Sequence, residues 1–478
     1  MNFSFYWHDY ETWGADPVRD RPAQFAGQRT DADLHPIDDP LVLFARPADD
    51  LLPHPEACLI TGITPQRALA EGLPEAEFIA RVRAPFMVPG TCGAGYNNIR
   101  FDDEITRHTL YRNCFDPYER EWRNGNSRWD LIDVMRMAHA LRPEGIQWPR
   151  HEDGTPSFRL EDLAEANAIA HQGAHDALAD VNATIDLARL LKRVQPRLFT
   201  YALALRHKDR VAELLDLRRP RPLLHVSSRY PAETGCIAPV LPLAAHPVNR
   251  NGVIVWDLRR DPRELLDLAP EAVRERLFVS REDLPEGVER LPLKVVHLNR
   301  SPMLAPLNTL SAERAGLWAI DLTAVHRHAA RLAHARGLAA KLQEVFARPA
   351  DGSERDPDFA LYDGFLGDAD RALCDQARAL PPERLATWHP DFADPRLPEI
   401  LFRYRARNWP ETLNPEERER WQAFRWRRLT DPQGGGSITL DAYGEALFRL
   451  RERFREDPRA QAVLDDLEAW AEGLMASA

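Results

Sequence analysis

The apolar residues of this chain change their spacing twice, and that succession limits the fold more than any other feature. To about Val194, short strand-like runs mix with helical patterns. Phe3, Phe5 and Trp7 alternate with polar or small neighbours, the period-two signature of a strand, and the chain then enters HDYETWG. Leu178, Val181, Ile185, Ala188 and Leu191 recur at three- and four-residue steps, which predicts an amphipathic helix closed by Lys192, Arg193 and Pro196. From Gln195 to Arg348 the runs PLLHVSS, IAPVLPL, GVIVWDL and LPLKVVHL are punctuated by Pro, Gly and Asn. That texture predicts a small β-rich domain with inserted helices, the clearest from Thr323 to Phe346. The polar stretch from Ala347 to Asp358 reads as a linker. Beyond it the chain reads as all-helical, broken at Gly434 to Ser437. The expected domains are therefore 1–194, 195–348 and 349–478, a division that suits a 478-residue chain too long for a single core.

Composition removes several classes of function. No uncharged apolar run of about 18 residues is present, and MNFSFYWHDYETW lacks a basic segment followed by a long apolar stretch. Neither a membrane span nor a signal peptide is expected, which points to the cytoplasm. The five cysteines are scattered with no CxxC or CxxH pair, so reduced buried thiols are expected rather than a disulfide framework or a zinc knuckle. A net charge of −12 argues against a polyanion coat protein, and any nucleic-acid contact must come from local patches. Only four of the 62 basic residues are lysine. Arginine forks grip phosphate, but abundant Arg, Ala and Pro also follow from a GC-rich genome.

Three acidic elements carry candidate chemistry. Asp9 and Glu11 lie two apart on the first strand, so both side chains leave one face and two carboxylates can share a metal. One such pair is also what a solvated strand end looks like. In GYNNIRFDDE a turn feeds a helix whose first turn carries Asp102, Asp103 and Glu104, which the helix dipole alone would also explain. In HQGAHDALADV, Asp180 lies one residue from the apolar stripe of its helix, where a buried carboxylate needs a partner such as a cation. His175, five residues upstream, sits where helix entry could aim it at the same cavity, although nearby His171 shows that histidine here can be incidental.

Together, Asp-x-Glu on a first strand, Asn-x-x-x-Phe-Asp before a helix and His-x-x-x-x-Asp near the end of the domain resemble the His-containing branch of the DEDD 3′→5′ exonucleases. HDYETWG, DRPAQFAGQRTD, LITGITP, GYNNIRFDDE, NSRWDLIDVMR, LRPEGIQWP, PSFRLEDL, HPVNRNGVIVWDL and YRARNWPETL extend the likeness to the bacterial exonuclease I family over most of the chain. The resemblance is weakest around Arg281 to Pro292 and after Thr430. It implies an α/β RNase H-like exonuclease domain with a mixed central sheet flanked by helices, then an SH3-like β-rich domain and a C-terminal all-helical domain. It also implies an enzyme that degrades single-stranded DNA to 5′-mononucleotides in repair and recombination. By motif position Asp9, Glu11, Asp102 and Asp180 correspond to the carboxylates that hold two metal ions, and His175 to the general base. Elementary chemistry agrees, since two divalent ions supply a nucleophile and charge neutralisation for phosphodiester hydrolysis. Oxygen-only ligands favour Mg²⁺, with Mn²⁺ as a substitute.

Holding a strand behind the site calls for cations interleaved with aromatic platforms. Arg128, Trp129, Arg136, Arg159, Tyr404, Arg405 and Arg407 are the candidates, although a solvated helix face with a buried Trp fits the YRARNW cluster equally. The family resemblance further implies a partner, the acidic C-terminal tail of single-stranded DNA-binding protein, met by Arg142 and Tyr201, and a monomeric state. Two rival readings remain: a 3′→5′ exoribonuclease of the same superfamily, and a non-catalytic single-stranded DNA-binding module whose acidic cluster is structural.

Overall fold

Strand β1 (Ser4–Thr12) sets the frame of the first sheet, followed by β2 (Pro22–Thr30), β3 (Leu41–Phe44) and β4 (Thr91–Gly95). In this computed structural model, which describes residues 3–171, 176–280, 282–347 and 355–476, the strands run in the order β3-β2-β1-β4. β1 is antiparallel to β2, with Phe5 opposite Thr30 and Glu11 opposite Gln24, and parallel to β4, with Ser4 opposite Thr91. Phe5, Trp7, Asp9 and Glu11 share one face of β1, and Tyr6, His8 and Tyr10 the other. Tyr6, Trp7 and Tyr10 are all buried, so this is a central strand covered on both faces. Tyr6, Tyr10 and Phe25 pack against Phe78, Val82 and Phe86 of the Glu75–Phe86 helix and against Ile105 and Leu110 of the Asp102–Arg112 helix.

By contacts the chain divides into two units. The first is Met1–Ser127, His171–Asn182 and Ser353–Ala478, and the second is Arg128–Ala170 and Ala183–Gly352. The C-terminal helices thus share a unit with the N-terminal sheet. Leu429, Tyr443, Leu447, Leu464 and Leu467 bury themselves against Trp13, Leu51, Leu52 and Ile63. A buried ionic network lies in the same unit. Asp50 accepts from Arg21 at 2.7 Å and from Arg407 at 2.9 Å, with Arg428 at 3.5 Å. Asp358 accepts from Arg407 at 2.5 Å and Arg428 at 2.7 Å, with Arg403 at 3.0 Å.

β5 (Ser127–Asp130) falls where the chain passes from the first unit to the second. The second unit holds an antiparallel sheet of β6 (Leu223–Val226), β7 (Ile237–Ala245), β8 (Gly252–Asp257), β9 (Leu293–His297) and β10 (Met303–Pro306), in the order β10-β6-β7-β8-β9. The first four are the apolar runs read from the sequence. β10 escaped notice because it is four residues long and ends in proline. The single helix expected from Thr323 to Phe346 is two, Leu322–Ala333 and Leu338–Phe346. Gly337 opens the second at φ +76°, a left-handed conformation that a continuous right-handed helix cannot contain.

Beyond residue 355 the described residues form helices and no strand, and Gly434 to Ser437 separate the Pro415–Thr430 and Leu440–Arg453 helices. All five cysteines are buried and none forms a disulfide. No helix among the described residues is long and apolar enough to cross a membrane.

Candidate active site

Asp9 and Glu11 leave the same face of β1, and a register shift after Glu11 ends the regular pairing with β2. Across from Glu11, the Gln24 side-chain oxygen accepts the Ala177 N–H at 3.3 Å and so ties the start of the Ala177–Val194 helix to the sheet. Asp176 precedes that helix and accepts the Leu178 and Ala179 N–H groups at 3.1 and 3.2 Å, an N-cap arrangement. One turn later Asp180 faces the β1 pair. Asp9, Glu11 and Asp180 each offer an oxygen, and these oxygens all lie within 4.8 Å of one another.

The three acids that open the Asp102–Arg112 helix have separate fates. Asp102 is buried and accepts the Tyr10 N–H at 3.0 Å, which joins the helix start to β1 between Asp9 and Glu11. The Thr106 hydroxyl donates to the Asp102 carbonyl at 2.8 Å and accepts from the Tyr10 hydroxyl at 3.0 Å. Asp103 instead accepts from buried Arg120 at 2.5 Å, and Glu104 pairs with Arg107 at 2.9 Å. The helix dipole is thus not the whole account of this acidic turn: Asp102 alone of the three is directed to the cluster on β1.

Electrostatics set the character of the site. Burial first, then the charges of Asp102, Asp180, Glu11 and Asp176, push the Asp9 carboxyl well above its ordinary range. Glu11 is raised to about 8 by burial and then by Asp180, Asp102 and Asp176. The charges that act most on both groups are all carboxylates. Such crowding favours protons or cations, and an all-oxygen donor set fits hard divalent ions. Asp176 was not singled out from the sequence, although an Asp directly before a helical pattern is the usual capping signal.

His171 Nε2 lies 2.5 Å from Asp180 Oδ1, so this histidine, read from the sequence as incidental, contacts the cluster. His175 lies outside the described residues.

The expected strand-holding residues are mostly interior. Trp129 is fully buried, stacks edge-on against Phe199 and donates its indole N–H to the Ala202 carbonyl at 3.2 Å, leaving no face for a base. Tyr404 packs in an apolar cluster with Leu401 and Trp409. Arg405 pairs with Glu417 at 2.8 Å, and Arg407 is held between Asp50 and Asp358. An interleaved run of rings and guanidinium groups looks alike from the sequence whether it faces solvent or an ionic core. Arg128 is also buried and donates to the Asn299 carbonyl at 3.0 Å. Arg136 is half-buried beside Asp133, and Arg159 is exposed. Arg142 is exposed and donates to the Thr309 carbonyl at 3.2 Å, while the Tyr201 hydroxyl donates to the Leu304 carbonyl at 2.9 Å.

Comparison with known proteins follows the same order of parts. Residues 6–188 match the family described as Exonuclease, residues 206–348 the Exonuclease I SH3-like domain and residues 355–474 the Exonuclease I C-terminal domain. Exodeoxyribonuclease I of Escherichia coli K12 is 45% identical over 473 residues, covering 99% of this chain and 98% of its own. The structure of a moderately thermophilic exonuclease I from Methylocaldum szegediense superposes with a TM-score of 0.93 at 54% identity, covering 99% of each chain. A zinc-ion-bound complex of E. coli exonuclease I with single-stranded DNA gives 0.93 at 44% identity, over 99% of this chain and 100% of that one. A structure of SSB and exonuclease I in complex with an inhibitor gives 0.91 at 43% identity, over the same shares. The expected succession of exonuclease, SH3-like and helical C-terminal parts is shown by these matches. With all three segments matched in order and near-complete coverage of its relatives, this chain belongs to the exodeoxyribonuclease I family, whose exonucleases depend on metal ions.

Proposed function

We propose that this enzyme removes nucleotides from the 3′ end of single-stranded DNA, releasing 5′-mononucleotides, and acts in DNA repair and recombination. The observation that carries the reading is the convergence of Asp9, Glu11 and Asp180 within 4.8 Å, with Asp102 tied to the same strand. These four carboxylates are the groups that hold a pair of Mg²⁺ ions, for which Mn²⁺ can substitute. Bound there, such ions supply an acidified water and neutralise charge building on the phosphate.

The chain's own residues do the rest. Gln24 and Tyr10 fix the helices that present Asp180 and Asp102. His175 takes the proton from the attacking water, an assignment supported by its place in the His-x-x-x-x-Asp motif. The bond that breaks joins phosphorus to the 3′-oxygen of the penultimate nucleotide, and that oxygen leaves with a proton as the new 3′-hydroxyl.

Exposed Arg159 and half-buried Arg136 are the cations we assign to the strand. Arg142 and Tyr201 are assigned to the acidic C-terminal tail of single-stranded DNA-binding protein, a partner supported by the relative's complex with SSB. We further propose a cytoplasmic monomer with domains at 1–194, 195–348 and 349–478.

The test is digestion of 5′-labelled single-stranded DNA and matched RNA with and without Mg²⁺, comparing wild type with Asp180→Ala. The proposal expects stepwise shortening of DNA that requires both Mg²⁺ and Asp180. Preferential shortening of RNA makes the chain an exoribonuclease, and tight binding without mononucleotide release makes it a binding module.

A further inference from the structure

The Asp102–Arg112 helix presents Asp102 at one end and stops at an unusual residue at the other. The Phe115 N–H donates to the Leu110 carbonyl at 2.9 Å, closing the helix, and Cys114 adopts φ +59°. Glycine is the usual occupant of such a left-handed closing position because a Cβ crowds the backbone there. Here the side chain has a specific neighbour. Cys114 and Cys374, the latter on the Asp368–Ala379 helix, belong to one apolar cluster and line one cavity, and the Cys374 thiol is the group that acts most on the Cys114 thiol. Arg378, one turn after Cys374 on the same helical face, donates to the Cys114 carbonyl, which fixes that face against the Cys114 turn. The cavity that both cysteines line measures about 310 Å³, and its wall includes exposed Trp122 and Asp375.

We propose that Cys114 and Cys374 are an oxidation site, closing to an intramolecular disulfide when the protein meets a hydroperoxide. The Cys374 sulfur attacks one peroxide oxygen. The O–O bond breaks and, with hydrogen peroxide, the other oxygen leaves as water, giving a sulfenic acid. The Cys114 sulfur then attacks the Cys374 sulfur, the S–O bond breaks and a second water leaves. Two thiols lose two electrons, and hydrogen peroxide gains them to become two waters. The neighbouring Cys374 thiol and then burial hold Cys114 protonated, which suits it to the second, resolving step rather than the first. The bridge ties the end of the helix that carries Asp102 to the C-terminal helical segment.

The experiment uses the full-length protein, reduced, desalted, treated with hydrogen peroxide, denatured in iodoacetamide and digested for mass spectrometry. The expected result is that two of the five cysteines escape alkylation, in one linked peptide pair containing Cys114 and Cys374. The pair should be about 2 Da lighter than the summed reduced peptides and separate on treatment with dithiothreitol. Cys374→Ser should abolish the link. Five alkylated cysteines after treatment, a bridge between other cysteines, or sulfinic acid at either position without a bridge would overturn the proposal. The wild-type peptide map decides the question without relying on any variant to fold.

Discussion

Replacing Asp50 by Asn keeps the shape of a fully buried side chain and removes one negative charge from among three guanidinium groups. At an effective dielectric of about 20, a pair at 2.7–2.9 Å attracts by about 6 kcal/mol. The desolvation that the charges suffered on burial cancels much of this, and removing one partner of a buried ion pair costs about 3–5 kcal/mol net. Asp358 still faces Arg407, Arg428 and Arg403, so the network is weakened rather than emptied. In a unit of 265 residues that loss lowers the unfolding midpoint by about 6–20 °C. Scanning calorimetry at pH 7 measures it.

The pH dependence supplies a second arm for the same variant. Arg21, Arg407 and Arg428 together outweigh the effect of burial and hold the Asp50 carboxyl far below its usual range. A depressed folded-state pKa gives stability that is fully present above the unfolded value of about 3.9 and is lost as pH falls through the folded value. The gap between wild type and Asp50→Asn should therefore be constant from about pH 5 upward and shrink only in stronger acid. A cost below about 1 kcal/mol, or a gap that closes toward alkaline pH, refutes the reasoning.

Other outcomes follow from the site and its frame. His175→Ala should cut turnover by about two orders of magnitude or more while DNA binding survives, read by single-turnover digestion beside an equilibrium binding titration. In chelated protein, Glu11 with its pKa near 8 makes stability fall as pH rises from about 4.5 to 8, because the folded state holds a proton that the unfolded state releases. Glu11→Gln should flatten that decline and also reduce the thermal stabilisation conferred by Mg²⁺, both read from melting curves. Gly27→Ala places a Cβ 2.3 Å from the Tyr6 hydroxyl in a packed sheet and should cost about 1–3 kcal/mol in urea unfolding, with an unchanged midpoint counting against the packing described.

Periodicity and motif order made much of this molecule legible before any coordinates. β1, the Ala177–Val194 helix, four strands of the second sheet and the helical C-terminal part announce themselves through local spacing, because a chain's own geometry decides which side chains share a face. Asp9, Glu11, Asp102 and Asp180 could be named because each sits in a short motif. What spacing cannot encode is where separated segments meet. The Gln24 contact that anchors the Ala177–Val194 helix and the pairing of Cys114 with Cys374 depend on contacts made only after the chain has closed on itself. The same limit hides from the sequence the buried setting of Tyr404, Arg405 and Arg407. An arginine paired with a buried carboxylate and an arginine waiting for phosphate have the same one-dimensional signature, and only the position of Asp50, Asp358 and Glu417 in space separates them.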